Sequence, residues 1–326
     1  MAERNLLDAV NLALRRAMAE DPTVLVLGED VGVNGGVFRA TDGLLQAYGG
    51  ERVLDTPLAE TLIAGVAIGL AAQGFRPVAE IQFMGFIYPA IDQMVNHASR
   101  LRNRTRGRLS CPMVLRAPYG GGIHAPEHHS ESTEAMLAHI PGLRVVIPSS
   151  PRRAYGLLLS AIRDPDPVVF LEPKRIYRAF KESVDDDGAP WPLDQAEILN
   201  AGSDVTLIGW GAMIRECLAA ATTLADDGVS VEVIDVATLT PLDTGTILAS
   251  VRKTGRVVIA HEAVGTAGYG AEIAARIAEE GLYDLEAPIR RVTGYDTVMP
   301  LPRLEGRYMP SAARIVRAVE EAMAFA

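Results

Sequence analysis

Cysteine is scarce in this chain of 326 residues: Cys111 and Cys217 stand far apart, in no CxxC or metal-finger spacing. That excludes a disulfide-stapled fold and fits a reduced, cytoplasmic protein. Basic charge is also in deficit. Against 41 Asp and Glu there are 31 Lys and Arg, a formal net charge of −10. A duplex nucleic-acid binder needs a dominant basic face, so no nucleic-acid partner is expected. No stretch reaches ~18 consecutive apolar residues, which excludes a helical membrane span. The opening "MAERNLLDAV" lacks a basic start followed by an apolar run, so no secretory signal is expected. One local exception to the charge deficit is "RLRNRTRGR", with Arg100, Arg102, Arg104, Arg106 and Arg108. A solvated helix end or a subunit contact is the plain reading, and an anion-facing role is the alternative.

What is present is ordinary globular composition, 48% hydrophobic and 22% charged, over a length that suits two domains. The pattern alternates. "NLLDAVNLALRRAMAE" sets Leu6, Leu7, Val10, Leu14, Ala17 and Met18 at helical spacing behind Asn5 as N-cap, with Asp8 three residues on. "TVLVLGED", "RVLDT", "PVAEIQ", "PMVLRAP", "LRVVIPSS" and "PVVFLEP" are short apolar runs that read as buried strands, with helical stretches between them. Near-continuous apolar strands separated by helices predict an α/β fold with a mostly parallel sheet covered on both faces. From 181 to 203 the chain turns acidic and turn-rich, the texture of a surface linker. The alternation then resumes, so a first domain over 1–180 and a smaller α/β domain over 204–326 are expected.

Two places concentrate chemistry. "YGGGIHAPEHHSES" packs His124, His128 and His129 with two carboxylates behind a run of glycines. Pro126 between the histidines forbids the regular helix that an HExxH-type metal site needs. Backbone amides of Gly120, Gly121 and Gly122 could cradle an anion, although no GxxxxGK[ST] or GxGxxG is present. A histidine used as acid or base on a loop at the end of a parallel strand is the third reading. Spacing alone leaves the reaction open. The second place is "LDTPLAET", where Glu60 starts a helix rich in small apolar residues. It either complements the helix dipole or lies buried with a raised pKa, able to exchange a proton with a bound heterocycle. Gly65 and Gly69 within that helix suit tight packing, either inside the domain or at a subunit boundary.

Together "TPLAE", "GFRPVAEIQFMGF", "APYGGGIHAPEHHSES", "HIPGLRVVIPSSP", "AIRDPDPVVFLEPKRIYR" and "TGRVVIAHEA" resemble, in order and over nearly the whole chain, a known family. It is the beta subunit of the thiamine-diphosphate-dependent first component of 2-oxo acid dehydrogenase complexes, and the loop is most similar to the bacterial pyruvate type. The resemblance implies a pyrimidine-binding domain followed by a transketolase-like C-terminal domain. It also implies oxidative decarboxylation of pyruvate and reductive acylation of the lipoyl domain of a dihydrolipoyl acyltransferase core. Branched-chain 2-oxo acids or acetoin are the alternative substrates. A non-catalytic scaffold that docks an alpha subunit to the core is an alternative of another class.

Carried over position by position, Glu60 would hydrogen-bond the aminopyrimidine ring of thiamine diphosphate. Phe86 would pack on that ring, with Leu58 beside it. His129 would be the catalytic histidine of acyl transfer, and His124 and His128 supporting residues. Some relatives bind potassium through positions matching Met113, Ala161, Ile162, Asp164 and Asp166; here Asp166 replaces the usual asparagine. The chain has no "GDG" followed by "NN" to hold magnesium and diphosphate. The resemblance therefore implies that an alpha subunit holds the Mg2+, in an α2β2 heterotetramer, and that this chain alone is inactive.

Overall fold

The computed structural model describes residues 2–325. In chain order its strands are β1 (Ala2–Arg4), β2 (Val24–Gly28), β3 (Val53–Asp55), β4 (Arg76–Glu80), β5 (Val114–Tyr119), β6 (Arg144–Val146), β7 (Val168–Pro173), β8 (Glu182–Val184), β9 (Glu197–Asn200), β10 (Val205–Gly209), β11 (Val231–Asp235), β12 (Thr238–Thr240), β13 (Val257–Val264) and β14 (Arg290–Gly294). Its α-helices are α1 (Leu6–Glu20), α2 (Leu44–Tyr48), α3 (Glu60–Ala72), α4 (Tyr88–Asn96), α5 (Leu101–Arg104), α6 (Glu134–Ala138), α7 (Pro151–Arg163), α8 (Met213–Asp226), α9 (Thr244–Thr254), α10 (Tyr269–Gly281), α11 (Pro302–Tyr308) and α12 (Ala312–Met323). None of the described helices is long and apolar enough to cross a membrane.

The chain divides into two compact units. One holds the residues up to Tyr119 together with Met136–Leu193; the other holds Gly120–Ala135 with the chain from Asp194 onward. In the first unit six parallel strands lie in the order β6-β7-β5-β4-β2-β3. Strands β2, β5 and β7 are buried along their whole length, as their largely apolar runs require, with Arg116 in β5 and Glu172 in β7 the charged exceptions. Helix α1 begins with the expected capping box: Asn5 Oδ1 accepts the Asp8 N–H at 2.9 Å and Asp8 Oδ2 accepts the Asn5 N–H at 3.3 Å. Its apolar stripe packs on α7, which opens with Ser150 as N-cap and Pro151 in the first turn.

The acidic segment expected as a plain linker contributes two strands. β8 pairs antiparallel with β1, and β9 pairs antiparallel with β11. Between them Trp191 donates its N–H to the Gly156 carbonyl at 3.0 Å, and the guanidinium groups of Arg152 and Arg153 lie 4.8 Å from its ring. The strands escaped the sequence pattern because they are short, and β9 alternates half-buried with exposed positions. In the second unit β10, β11, β13 and β14 are parallel, and β9 forms the antiparallel edge of the order β14-β13-β10-β11-β9. Val205, Leu207, Val233 and Val258 from this sheet pack with Cys217 and Leu224 of α8 and Ile315 and Val319 of α12.

Candidate active site

The carboxylate and the histidine loop that stand out in the sequence fall in different units. In the first, β3 ends at Asp55, whose carboxylate accepts the N–H groups of Gly32 at 2.6 Å and Val33 at 3.0 Å. The chain turns through Pro57 and enters α3 with Glu60 as its first residue. Ala59 caps this helix without a side-chain hydrogen bond, and Glu60 is half-buried. A second carboxyl, Glu29, is pushed upward in pKa, first by burial and then by the charges of Asp30 and Glu60. Sequence reasoning passed over Glu29 because it sits in an ordinary polar strand-end loop.

Phe86 closes a short 3-10 turn, Met84–Phe86, and meets Phe83 edge-on at 5.7 Å; Phe83 in turn meets Phe38 edge-on at 5.4 Å. The Thr61 hydroxyl donates to the Pro89 carbonyl at 2.9 Å, fastening the start of α3 to the chain just beyond Phe86. Leu58 is 72% exposed. Helix α3 is apolar on all sides, as buried helices are. Yet Leu62 and Val66 remain 42% and 41% exposed, and a Cβ at Gly69 would meet nothing within 4 Å. The small-residue helix thus keeps an open face within this chain.

In the second unit the loop Gly120–Ala135 answers the question its composition raises. Gly120 and Gly122 have φ of 82° and 86°, and His124 has φ of 58°. This twisted backbone turns its N–H groups onto two carboxylates of the same unit. Gly121 donates to Glu262 Oε2 at 3.0 Å, Gly122 to Glu305 Oε1 at 2.9 Å, and His124 to Glu305 Oε2 at 3.1 Å. The glycine turn is therefore an anion cradle whose anions are the protein's own side chains. A Cβ on Gly120 would stand 2.6 Å from Glu262, so the close approach needs glycine.

His124 places Nδ1 2.8 Å from Glu305 Oε2 with its side chain 74% exposed. Farther on, Glu127–His129 form a 3-10 turn in which the His129 N–H bonds the Pro126 carbonyl at 2.9 Å. His128 is exposed and His129 half-buried, their rings 6.5 Å apart. Ser130 is buried and donates to the Pro126 carbonyl at 3.1 Å. Among the described residues no group of three or more His, Cys, Asp or Glu could hold a metal ion. Beside the loop lies a cavity of ≈ 260 Å³, lined by Glu127, Ser130, Glu131, Glu262, Met299 and Tyr308 among others. Burial, followed by the charges of Glu131 and Glu262, pushes the Tyr308 hydroxyl up in pKa.

Three of the five positions considered for potassium, Ile162, Asp164 and Asp166, are bonded by arginines. Arg76 Nη1 donates to the carbonyls of Ile162 at 2.8 Å and Asp164 at 3.2 Å. The Asp164 carboxylate pairs with Arg144 at 3.0 Å and that of Asp166 with Arg102 at 2.6 Å. Met113 gives its carbonyl to the Val168 N–H at 3.0 Å, and Ala161 is a buried residue of α7. In this arrangement guanidinium groups already supply positive charge at those three positions. The pairing with Arg102 also gives one member of the basic cluster a structural partner.

Comparison with known proteins covers the whole chain. The family described as "Transketolase, pyrimidine binding domain" matches residues 2–179, and "Transketolase, C-terminal domain" matches residues 194–315. The chain is 49% identical over 315 residues to the pyruvate dehydrogenase E1 component subunit beta of Acholeplasma laidlawii, covering 97% of this chain and 96% of the other. It is 46% identical over 325 residues to the protein of that description from Bacillus subtilis (strain 168), covering 100% of both. Among solved structures it is similar to "Split gene transketolase, inactive beta4 tetramer", with a TM-score of 0.82, 25% identity and 99% of each chain covered.

Proposed function

Since the chain belongs to the family of pyruvate dehydrogenase E1 component beta subunits, we propose that it is the beta half of a thiamine-diphosphate enzyme. On this reading it decarboxylates pyruvate oxidatively and passes the acetyl group to the lipoyl domain of an acyltransferase core. The observation that carries the reading is the half-buried Glu60 at the bare start of α3, which the Thr61 hydroxyl ties to Pro89, three residues beyond Phe86. A half-buried carboxylate and an apolar aromatic group are the two features an aminopyrimidine would need, an acid for its nitrogen and a surface for its ring. Thiamine diphosphate, when bound, supplies the electron sink for loss of carbon dioxide.

The chain's own groups do the rest. Glu60 would hold or return a proton at the pyrimidine nitrogen. Phe86 and Leu58 offer apolar surface that orients the ring and excludes water. His129 is the proton donor for acyl transfer to the lipoyl dithiolane, carried on a loop whose N–H groups bond Glu262 and Glu305. The magnesium and diphosphate are assigned to an alpha subunit, in an α2β2 assembly in which the open face of α3 is covered. No potassium is invoked, because arginines bond three of the five positions. A cytoplasmic location accords with Cys111 and Cys217 as buried free thiols, both pushed up in pKa by burial.

The test is 2-oxo acid-dependent reduction of an artificial acceptor, with thiamine diphosphate and magnesium, by this chain with and without a co-expressed alpha partner. Activity with pyruvate in the pair alone is expected. Preference for branched-chain 2-oxo acids or acetoin would reassign the substrate. Turnover by the chain alone would overturn the shared site.

A further inference from the structure

We propose that Glu305 is the positioning residue of the histidine loop: its carboxylate fills the backbone cradle of Gly122 and His124 and so fixes where His129 is presented. The proposal rests on the reading of His129 given above.

Helix α11 is exposed along most of its length, yet Glu305 within it is only 3% exposed. A carboxylate is buried at a cost unless donors surround it. Glu305 has three such contacts, all from one short stretch of chain: the N–H of Gly122, the N–H of His124 and the His124 ring nitrogen. The stretch needs them. A left-handed conformation at His124 persists only where its surroundings over-determine it. From His124 the path to the catalytic position is short and stiff: Ala125, Pro126, then the 3-10 turn closed by the His129 N–H on the Pro126 carbonyl. Glu262 adds a second support at Gly121. A displacement at the clamp is therefore carried directly to His129.

Glutamine at 305 would be nearly isosteric, but its amide nitrogen would face an N–H donor. Aspartate would keep the charge and fall short by one methylene. Both variants are made in the reconstituted enzyme with its alpha partner. Three readouts are taken: amide hydrogen exchange across 120–130, reduction of an artificial acceptor, and acylation of a free lipoyl domain. In Glu305→Gln, exchange at Gly122 and His124 and the kcat of lipoyl-domain acylation are expected to change by on the order of tenfold, with acceptor reduction within about twofold and the KM for the lipoyl domain little altered. Unchanged exchange in the loop, or equal loss of both reactions, overturns the proposal. If Glu305→Gln does not assemble, Glu305→Asp decides by the same exchange measurement. His129→Ala is run alongside. Should it acylate the lipoyl domain at the wild-type rate, the role given to His129 falls, while the exchange data still decide whether Glu305 holds the loop.

Discussion

Arg116 and Glu172 meet as a two-pronged fork inside the sheet of the first unit, Nε to Oε1 at 2.7 Å and Nη2 to Oε2 at 3.0 Å. Arg116 also reaches Glu80 Oε2 through Nη1 at 2.5 Å, and the Tyr177 hydroxyl donates to Glu172 Oε2 at 2.6 Å. All four side chains are buried. One guanidinium on β5 serves carboxylates on both strands that flank it, β4 and β7. Replacing Arg116 with methionine strands both acids and is expected to lower stability by about 3–5 kcal/mol. Denaturant or thermal unfolding of the purified chain checks this, and a loss below about 1 kcal/mol would show that the acids are otherwise compensated.

The excess carboxylate has a pH signature. Burial pushes the Glu80 carboxyl upward, Arg116 opposes the shift, and Glu172 adds to it. A raised folded-state pKa means that the contribution is present below the unfolded value and lost as pH rises through the folded one. Glu80→Gln keeps an acceptor for Arg116 and removes the titration. The variant's Tm is therefore expected to gain on wild type as pH rises. A constant difference across the range would refute the raised pKa of Glu80.

Glu60→Gln retains the shape at the start of α3 and removes the acid. If Glu60 exchanges a proton with the cofactor's pyrimidine, turnover in the reconstituted enzyme should fall by roughly 10²–10⁴-fold. Cofactor affinity should change far less if, as proposed, Phe86 and an alpha subunit hold the ring and the diphosphate. Titration of thiamine diphosphate alongside kcat separates the two effects; undiminished turnover would favour the scaffold reading.

In the second unit His261 is fully buried and stacks on Trp210, with ring centroids 5.1 Å apart and an interplanar angle of 11°. A Cβ on Gly270 would stand 2.7 Å from the imidazole, so the packing is closed by glycine. Burial, and then the charge of Arg291, pushes the imidazole pKa down to about 4. A lowered folded pKa gives stability that is complete above the ordinary value and lost as pH falls toward the folded one. His261→Gln should flatten the loss of stability between about pH 6.5 and 4. Parallel acid-unfolding curves for wild type and variant would overturn the assignment.

Local chemistry was readable wherever its cause was local. Asn5 and Asp8 lie one helical turn apart, and the apolar runs of β2, β5 and β7 carry their burial in their composition. The family motifs led to Glu60, Phe86 and His129 because each is part of a contiguous string. The carboxylates in the glycine cradle were invisible for the opposite reason. Glu262 and Glu305 are 141 and 183 residues from the amides they accept, and nothing near either of them marks an anion partner. Arg76 at the expected potassium positions is a similar case, since its bonds to Ile162 and Asp164 span 86 and 88 residues. Spacing reports what one element does; which charge fills a cradle is decided by the fold.

The face of α3 supplies the last expectation. A helix apolar on all sides should be surrounded, yet Leu62 and Val66 stand open and Gly69 leaves room for another backbone. An uncovered apolar face favours association, so the isolated protein is expected to self-associate and to exchange that contact for an alpha subunit when one is supplied. Val66→Arg places a charge on the patch without touching the core of the first unit. It should weaken association by about 2 kcal/mol or more, roughly thirtyfold in Kd, and leave the far-UV spectrum and Tm of the chain nearly unchanged. Sedimentation of the chain alone and with its alpha partner measures both contacts. Wild type that stays monomeric at high concentration, or a variant that assembles as tightly as wild type, would mean that the open face of α3 is not where the subunits meet.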